Sequence, residues 1–183
     1  MKKAIMTTDI FNRLINATKG FTGSFGSRYI HQFIRLEFHS DSDEVVAVAV
    51  DGFKLSVEHA VCKSEEDFVV YVKSNVKLPR KTKVEIELDG NEALFRCDEF
   101  VFGYQQPDGE FCDWKKVLPK GEPSFKIGFN AEYLLKALDA ARISAGGICK
   151  TACVLEFRSP LEPVIIRTNS NDIKMVLPVR LTD

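Results

Sequence analysis

The chain has 183 residues, 45% hydrophobic and 28% charged, with a formal net charge of −1 at neutral pH. That composition suits a globular protein of a domain or a domain and a half, and excludes one that holds nucleic acid by bulk positive charge, leaving only local basic stripes. Five cysteines (Cys62, Cys97, Cys112, Cys149 and Cys153) form no disulfide framework, the N-terminus lacks the apolar run of a signal peptide, and no apolar stretch approaches the ~20 residues that span a bilayer. These features predict a cytoplasmic protein with no membrane partner.

In chain order, residues 3–6 read as a short strand, and Thr7 as the N-cap of a helix running to about Thr18 and stopped by Gly20 and Gly23. Ile10, Phe11, Leu14 and Ile15 fall on one helical face, with Arg13, Asn16 and Lys19 opposite or at its margins. After a Gly/Ser-rich loop, 33–39 and 45–50 read as strands joined by the acidic turn Asp41-Ser42-Asp43-Glu44, and 53–61 as a third strand. Strands are predicted again at 68–72, 84–88, 93–97 and 100–104, with Asp89-Gly90-Asn91 as a hairpin turn. Between the first two of these, residues 73–83 are basic, short and interrupted by Pro79, so at most one helical turn fits. Pro107-Asp108-Gly109 is a further turn and 119–123 a linker. A strand at 125–129, Asn130 as N-cap, a helix to about Ile143, a loop at 144–147 and strands at 153–157, 164–168 and 173–181 complete the chain.

The two ends are variations on one unit. Thr7 and the helix after it, Leu36-Glu37-Phe38-His39-Ser40 and Asp51-Gly52-Phe53-Lys54-Leu55-Ser56-Val57 are echoed by Asn130 and its helix, Leu155-Glu156-Phe157-Arg158-Ser159 and Asn171-Asp172-Ile173-Lys174-Met175-Val176-Leu177. With the strand-rich middle, the chain reads as three units averaging about 61 residues, and such units bury their apolar faces by stacking within a chain or between chains. No nucleophile-base pairing, Gly-rich phosphate loop or metal constellation accompanies them. His31, His39 and His59 lie on or beside strands, Cys149 and Cys153 lack further ligands at zinc spacing, and Asp41, Asp43 and Glu44 lack calcium-loop spacing.

Phe129-Asn130-x-x-Tyr133-Leu134-Leu135-x-Ala137-Leu138 and Val176-Leu177-Pro178-Val179-Arg180-Leu181 resemble the last domain of the bacterial DNA polymerase III β sliding clamp family, which ends in a similar Met-Pro-Met-Arg-Leu pattern. Val50-Asp51-Gly52-Phe53-Lys54-Leu55 and the stretch from Asp108-Gly109-Glu110-Phe111-Cys112-Asp113 through Trp114-Lys115-Lys116-Val117-Leu118-Pro119-Lys120 resemble its second domain, with Phe53 for a family His and Cys112 for a family Pro. The resemblance implies an α+β, clamp-like fold of repeated β-α-β-β-β units, with antiparallel sheets and helices on one face. It divides the chain into a two-unit domain at 1–120, the second unit with a reduced helix, and a one-unit half-domain at 121–183. The family closes a ring of twelve units, which three units per chain would fill with four chains; the unpaired third unit could instead pair with its counterpart in a dimer.

The implied function is that of a non-enzymatic, cofactor-free processivity factor, which encircles or tethers to double-stranded DNA and recruits a DNA polymerase or other clamp users through short peptides. Family helices line the hole, where cations meet phosphates without reading sequence. Arg13 and Lys136 occupy equivalent helix positions, as do Lys19 and Arg142, and Lys77 and Arg80 belong to the densest basic cluster, with Lys73, Lys81 and Lys83. The positions matching the family's peptide pocket are Gly52, Phe53, Lys54, Leu55, Lys116, Val117, Asn130, Tyr133, Met175, Leu177, Pro178, Val179 and Arg180. Two alternatives stay open: an adaptor or decoy that binds the same peptides without forming a ring, and a small-ligand protein or enzyme on a clamp-like fold.

Overall fold

The computed structural model describes residues 1–98, 100–145, 152–168 and 171–181. The chain divides into two compact units, Met1–Pro119 and Lys120–Asp183.

The N-terminal unit opens with β1 (Lys2–Thr7) and α1 (Thr8–Thr18). Thr7 keeps an extended backbone while its hydroxyl accepts the Ile10 N–H at 3.3 Å, so a donor that the first helical turn cannot satisfy is paired. Eight strands follow: β2 (Phe33–His39), β3 (Glu44–Val50), β4 (Leu55–Val61), β5 (Lys63–Ser64), β6 (Phe68–Lys73), β7 (Lys83–Asp89), β8 (Glu92–Cys97) and β9 (Phe100–Gln105). They form two antiparallel sheets, β4-β3-β2-β6 and β5-β1-β7-β8-β9.

The two sheets exchange their opening strands. β1, which leads the first repeat, lies in the sheet of the second and pairs with β7 from Lys2↔Leu88 to Thr7↔Lys83. β6, which leads the second, lies in the sheet of the first and pairs with β2 from Phe33↔Lys73 to Phe38↔Phe68. Neither repeat has a complete sheet without the other, and both sheets share one core with α1, in which Phe11, Leu14, Ile15, Leu36, Phe38, Val70, Ile86 and Phe95 are buried.

β3 shows why its sequence is continuously apolar rather than alternating. Val45, Ala47 and Ala49 face the shared core, and Val46, Val48 and Val50 face a second cluster with Ile30 and Phe111. Cys112 and Trp114 pack at the edge of that cluster, and the Trp114 indole N–H donates to Glu37 Oε1 at 3.0 Å. Trp114 opens α2 (Trp114–Val117), a single turn with too few residues to show a helical period in the sequence. Just before it, the nearly buried Gln106 side chain acts on the outer edge of β6: Oε1 accepts the Tyr71 N–H at 2.6 Å and Nε2 donates to the Tyr71 carbonyl at 3.4 Å.

Residues 74–82 form no helix. They are held against α1 instead: Asn12 donates from Nδ2 to the Leu78 carbonyl at 2.8 Å and accepts the Leu78 N–H on Oδ1 at 2.9 Å, while the Thr8 N–H donates to the Thr82 carbonyl at 2.9 Å.

The C-terminal unit consists of α3 (Ala131–Ser144) and a sheet in the order β10 (Val154–Glu156), β11 (Val164–Arg167), β12 (Ile173–Val176). Asn130 caps α3, its Oδ1 accepting the Glu132 and Tyr133 N–H groups at 3.0 and 3.2 Å. Leu134, Ala137, Leu138 and Ala141 pack on Val164, Ile166 and Val176. Two expectations are corrected. Among the described residues the strand predicted at 125–129 lies in no sheet and makes only the bridge Gly128↔Val179, because an apolar extended segment becomes a ladder only where a neighbouring strand runs beside it. The strand predicted to reach 181 stops at Val176, two residues before Pro178, which has no N–H to donate. Gly146 and Gly147 of the predicted loop, and Cys149, lie outside the described residues.

Candidate functional site

In the N-terminal unit the predicted peptide residues begin at the turn between β3 and β4. Gly52 takes φ +93°, a conformation that costs any side-chain-bearing residue, and the Asp51 carboxylate accepts the Phe53 and Lys54 N–H groups at 2.9 and 3.0 Å. Desolvation opposes ionisation of Asp51, but these N–H donors and the Lys54 ammonium 3.4 Å away outweigh it and hold the carboxyl below its ordinary pKa. Lys54 also donates to the Gly20 carbonyl and lies 5.7 Å over the Phe21 ring. The turn is thereby fixed, Leu55 packs inward, and Phe53 stands 99% exposed at its tip. On α2, Lys116 pairs with Asp113 at 2.9 Å and Val117 is exposed.

In the C-terminal unit, alternation along β12 sorts the residues. Val176 packs toward α3 and Lys174 donates to Ser144 Oγ at 3.0 Å, whereas Ile173, Met175, Leu177 and Val179 form an exposed apolar row, with Met175 at 59% and Leu177 at 64%. Ile173 extends the predicted set, and its period-two spacing from Met175 and Leu177 is the signal that would have found it. Tyr133 and Arg180 are exposed and Pro178 is half-buried, while Asn130 is spent on the cap.

The predicted DNA residues separate into two groups. The caps Thr7 and Asn130 are 123 positions apart (130 − 7), as are Arg13 and Lys136 (136 − 13) and Lys19 and Arg142 (142 − 19); Arg13 and Lys136 stand at the same place in their helices, whereas Lys19 is the C-cap of α1 and Arg142 lies within α3. Their charges are largely occupied. Arg13 pairs with Glu58 at 3.0 Å and donates to the His59 carbonyl at 2.8 Å, Lys136 pairs with Glu132 at 2.7 Å, and Arg142 with Asp139 at 3.6 Å, while Lys19 donates to Asn16 at 2.8 Å. By contrast Lys77, Arg80, Lys81 and Lys83, on and just after the 74–82 connector, have no acidic group within 4.0 Å among the described residues.

No three His, Cys, Asp or Glu side chains are grouped to hold a metal ion, and no helix is long and apolar enough to cross a membrane, among the described residues. Burial pushes the Cys62 thiol up to about 11, so it is not a thiolate at neutral pH.

Antiparallel repeats that share exchanged strands, with helices packed on them, make an α+β fold of the DNA sliding clamp class. All of the chain superposes on the β chain of DNA polymerase III from Streptococcus pneumoniae TIGR4, with a TM-score of 0.80 and 22% identity, covering 50% of that protein. The β subunit of DNA polymerase from Streptococcus pyogenes gives a TM-score of 0.82 at 19% identity over 96% of this chain and 50% of that one. A DNA polymerase sliding clamp from Pseudomonas aeruginosa gives 0.69 at 17% identity over 98% of this chain and 67% of that one. The chain thus spans about half the length of the streptococcal proteins it resembles. No family model and no curated protein sequence matches it.

Proposed function

We propose that this protein is a cytoplasmic, non-enzymatic processivity factor of the sliding-clamp type, which holds client proteins near duplex DNA. The observation that carries the reading is the likeness of the whole chain to DNA polymerase III β clamps. With three repeats per chain, four chains supply the twelve repeats of a closed ring. Its mechanism is topological: encirclement raises a client's effective concentration on DNA without a tight site on the duplex.

The cations of the connector, Lys77 and Arg80 among them, with no acidic group within 4.0 Å among the described residues, are the principal phosphate contacts. Arg13, Lys19, Lys136 and Arg142 contribute less, because each already has a polar or acidic neighbour. Few free cations suit a protein that must move along DNA, since every phosphate neutralised adds salt-dependent affinity. Client peptides dock on Met175, Leu177 and Val179, with Tyr133, Pro178 and Arg180 beside them in sequence or on α3. Gly52, Phe53, Lys54, Leu55, Lys116 and Val117 add contacts of their own, Phe53 as an aromatic contact and Gly52 by shaping the turn.

The test is retention on bead-bound circular duplex and release when the circle is cut. The protein stays on circles and leaves linear ends, Lys77→Glu with Arg80→Glu lowers retention about tenfold at low salt, and Leu177→Lys abolishes calorimetric binding of a clamp-binding peptide with the fold intact. Equal loss from circular and cut DNA sinks the clamp reading. Peptide binding without retention on circles establishes the adaptor reading in its place.

A further inference from the structure

The N-terminal unit contains a template for what the C-terminal unit lacks. Within it, the leading strand of each repeat pairs with the first strand after the helix or connector of the other, β1 with β7 and β6 with β2. The offset of 123 maps β1 residues Lys2, Lys3, Ala4, Ile5 and Met6 onto Phe125, Lys126, Ile127, Gly128 and Phe129. One side of this leading segment is already engaged as in the template: the bridge Gly128↔Val179 stands where Ile5↔Lys63 stands. The other side, where β1 meets β7, has no strand beside it among the described residues. Correspondingly β10, the first strand after α3, is an edge strand, whereas β7 and β2 each have a leading strand alongside.

Side chains repeat the same incompleteness. Ile86↔Phe95 and Glu87↔Leu94 in the template match Leu155↔Ile166 and Glu156↔Ile165, so Glu156 corresponds to Glu87. Glu87 is held by Arg96 at 3.2 Å and by Lys3 at 2.6 Å. Glu156 has the equivalent of the first, Arg167 at 2.8 Å, and in place of the second it is met by Arg158 of its own strand end at 3.2 Å, whereas Lys126, the counterpart of Lys3, has no acidic group within 4.0 Å among the described residues. On the helix, Asn12 grips the connector of the neighbouring repeat, and its counterpart Leu135 is a leucine 61% exposed.

The geometry points to reciprocal strand exchange between the C-terminal units of two copies of this chain: segment 125–129 of each copy pairs antiparallel with β10 of the other. The template sets the register, with Ile127 opposite Leu155 of the second copy, Lys126 opposite Glu156 and Phe125 opposite Phe157. The contact is isologous, because each copy gives the strand that it receives, so it closes at two C-terminal units and turns the approximate two-fold relation inside the N-terminal unit into an exact one. A second copy is the occupant because it carries all that the open edge lacks: a leading strand, a carboxylate for Lys126 and an apolar helix face for Leu135. This pairing goes beyond the DNA-tethering reading and does not depend on it.

Light scattering of the 183-residue chain at micromolar concentration, with hydrogen exchange on the same samples, tests the proposal. The expected mass is two chains or a multiple of two, and Leu135→Glu and Ile127→Pro each halve it while Lys126→Arg does not. On dilution of the unchanged chain, amide protection at 125–129 and 154–156 falls about tenfold or more, with no such change in β7 or β2. A monomer, an assembly whose mass survives both disruptive variants, or protection at 125–129 independent of concentration overturns the proposal. If a variant unfolds, the exchange measurement on the unchanged chain still decides. A dimer that ignores DNA leaves this inference standing and removes the function proposed above.

Discussion

In the N-terminal unit α1 buries Phe11, Leu14 and Ile15 almost completely, while the residues matching them on α3, Leu134, Ala137 and Leu138, remain partly exposed. The helices carry similar apolar patterns behind equivalent caps. What differs is the second repeat: α1 rests on a core built by two interlocked sheets, and α3 on one sheet of three short strands. Burial is therefore a property of the pair of repeats rather than of the helix, and one repeat alone supplies only part of the apolar cover its sequence is written for.

The comparison breaks most readily at the core. Phe11→Ala should cost about 3–5 kcal/mol in urea unfolding, whereas Leu134→Ala, at a half-covered site, should cost about 1 kcal/mol. Equal losses would show that the C-terminal unit is as well packed as its neighbour.

A smaller effect is expected at the matched carboxylates. Glu87→Gln should cost about 2 kcal/mol, since it weakens a charge-assisted contact at a nearly buried site, while Glu156→Gln should change stability by no more than about 0.5 kcal/mol. The Glu87 carboxyl is held below its ordinary value of 4.5 chiefly by the hydrogen bond from Lys3, against desolvation and with help from Arg96. The stability it contributes is thus complete above that value and lost as the pH falls through the lower folded-state pKa. Acid unfolding curves should accordingly show that component in the unchanged protein and not in Glu87→Gln.

The smallest effects are at the caps. Thr7→Ala and Asn130→Ala should each lower stability by about 1 kcal/mol, with Asn130 the larger because its side chain accepts two N–H groups where Thr7 accepts one. Thermal melts followed by circular dichroism would rank them.

The same contrast decides what could be read from the sequence. Much of the N-terminal unit was legible, since Thr7, the 10/11/14/15 stripe and the acidic turn of the first repeat and the Asp89-Gly90-Asn91 turn of the second are local signals and the structure uses each of them. Residues 125–129 and 177–181 carry strand-like composition but depend on a neighbour that composition does not specify. α2 offered one turn and no period. At the candidate site the equivalence of Arg13 with Lys136 was visible as spacing. That Glu132 and Asp139 stand one turn away and occupy the cations of α3 was equally present in the i,i+3 and i,i+4 positions. Glu58, by contrast, reaches Arg13 only through folding of a strand 45 residues further along.

The amide of Gln106 has a consequence for how far association can spread. By satisfying both backbone groups of Tyr71 it occupies the rim of β6 with a side chain that imitates one residue of a strand. An intruding chain would have to evict it before adding to that sheet, so this rim is a poor seed for fibril growth.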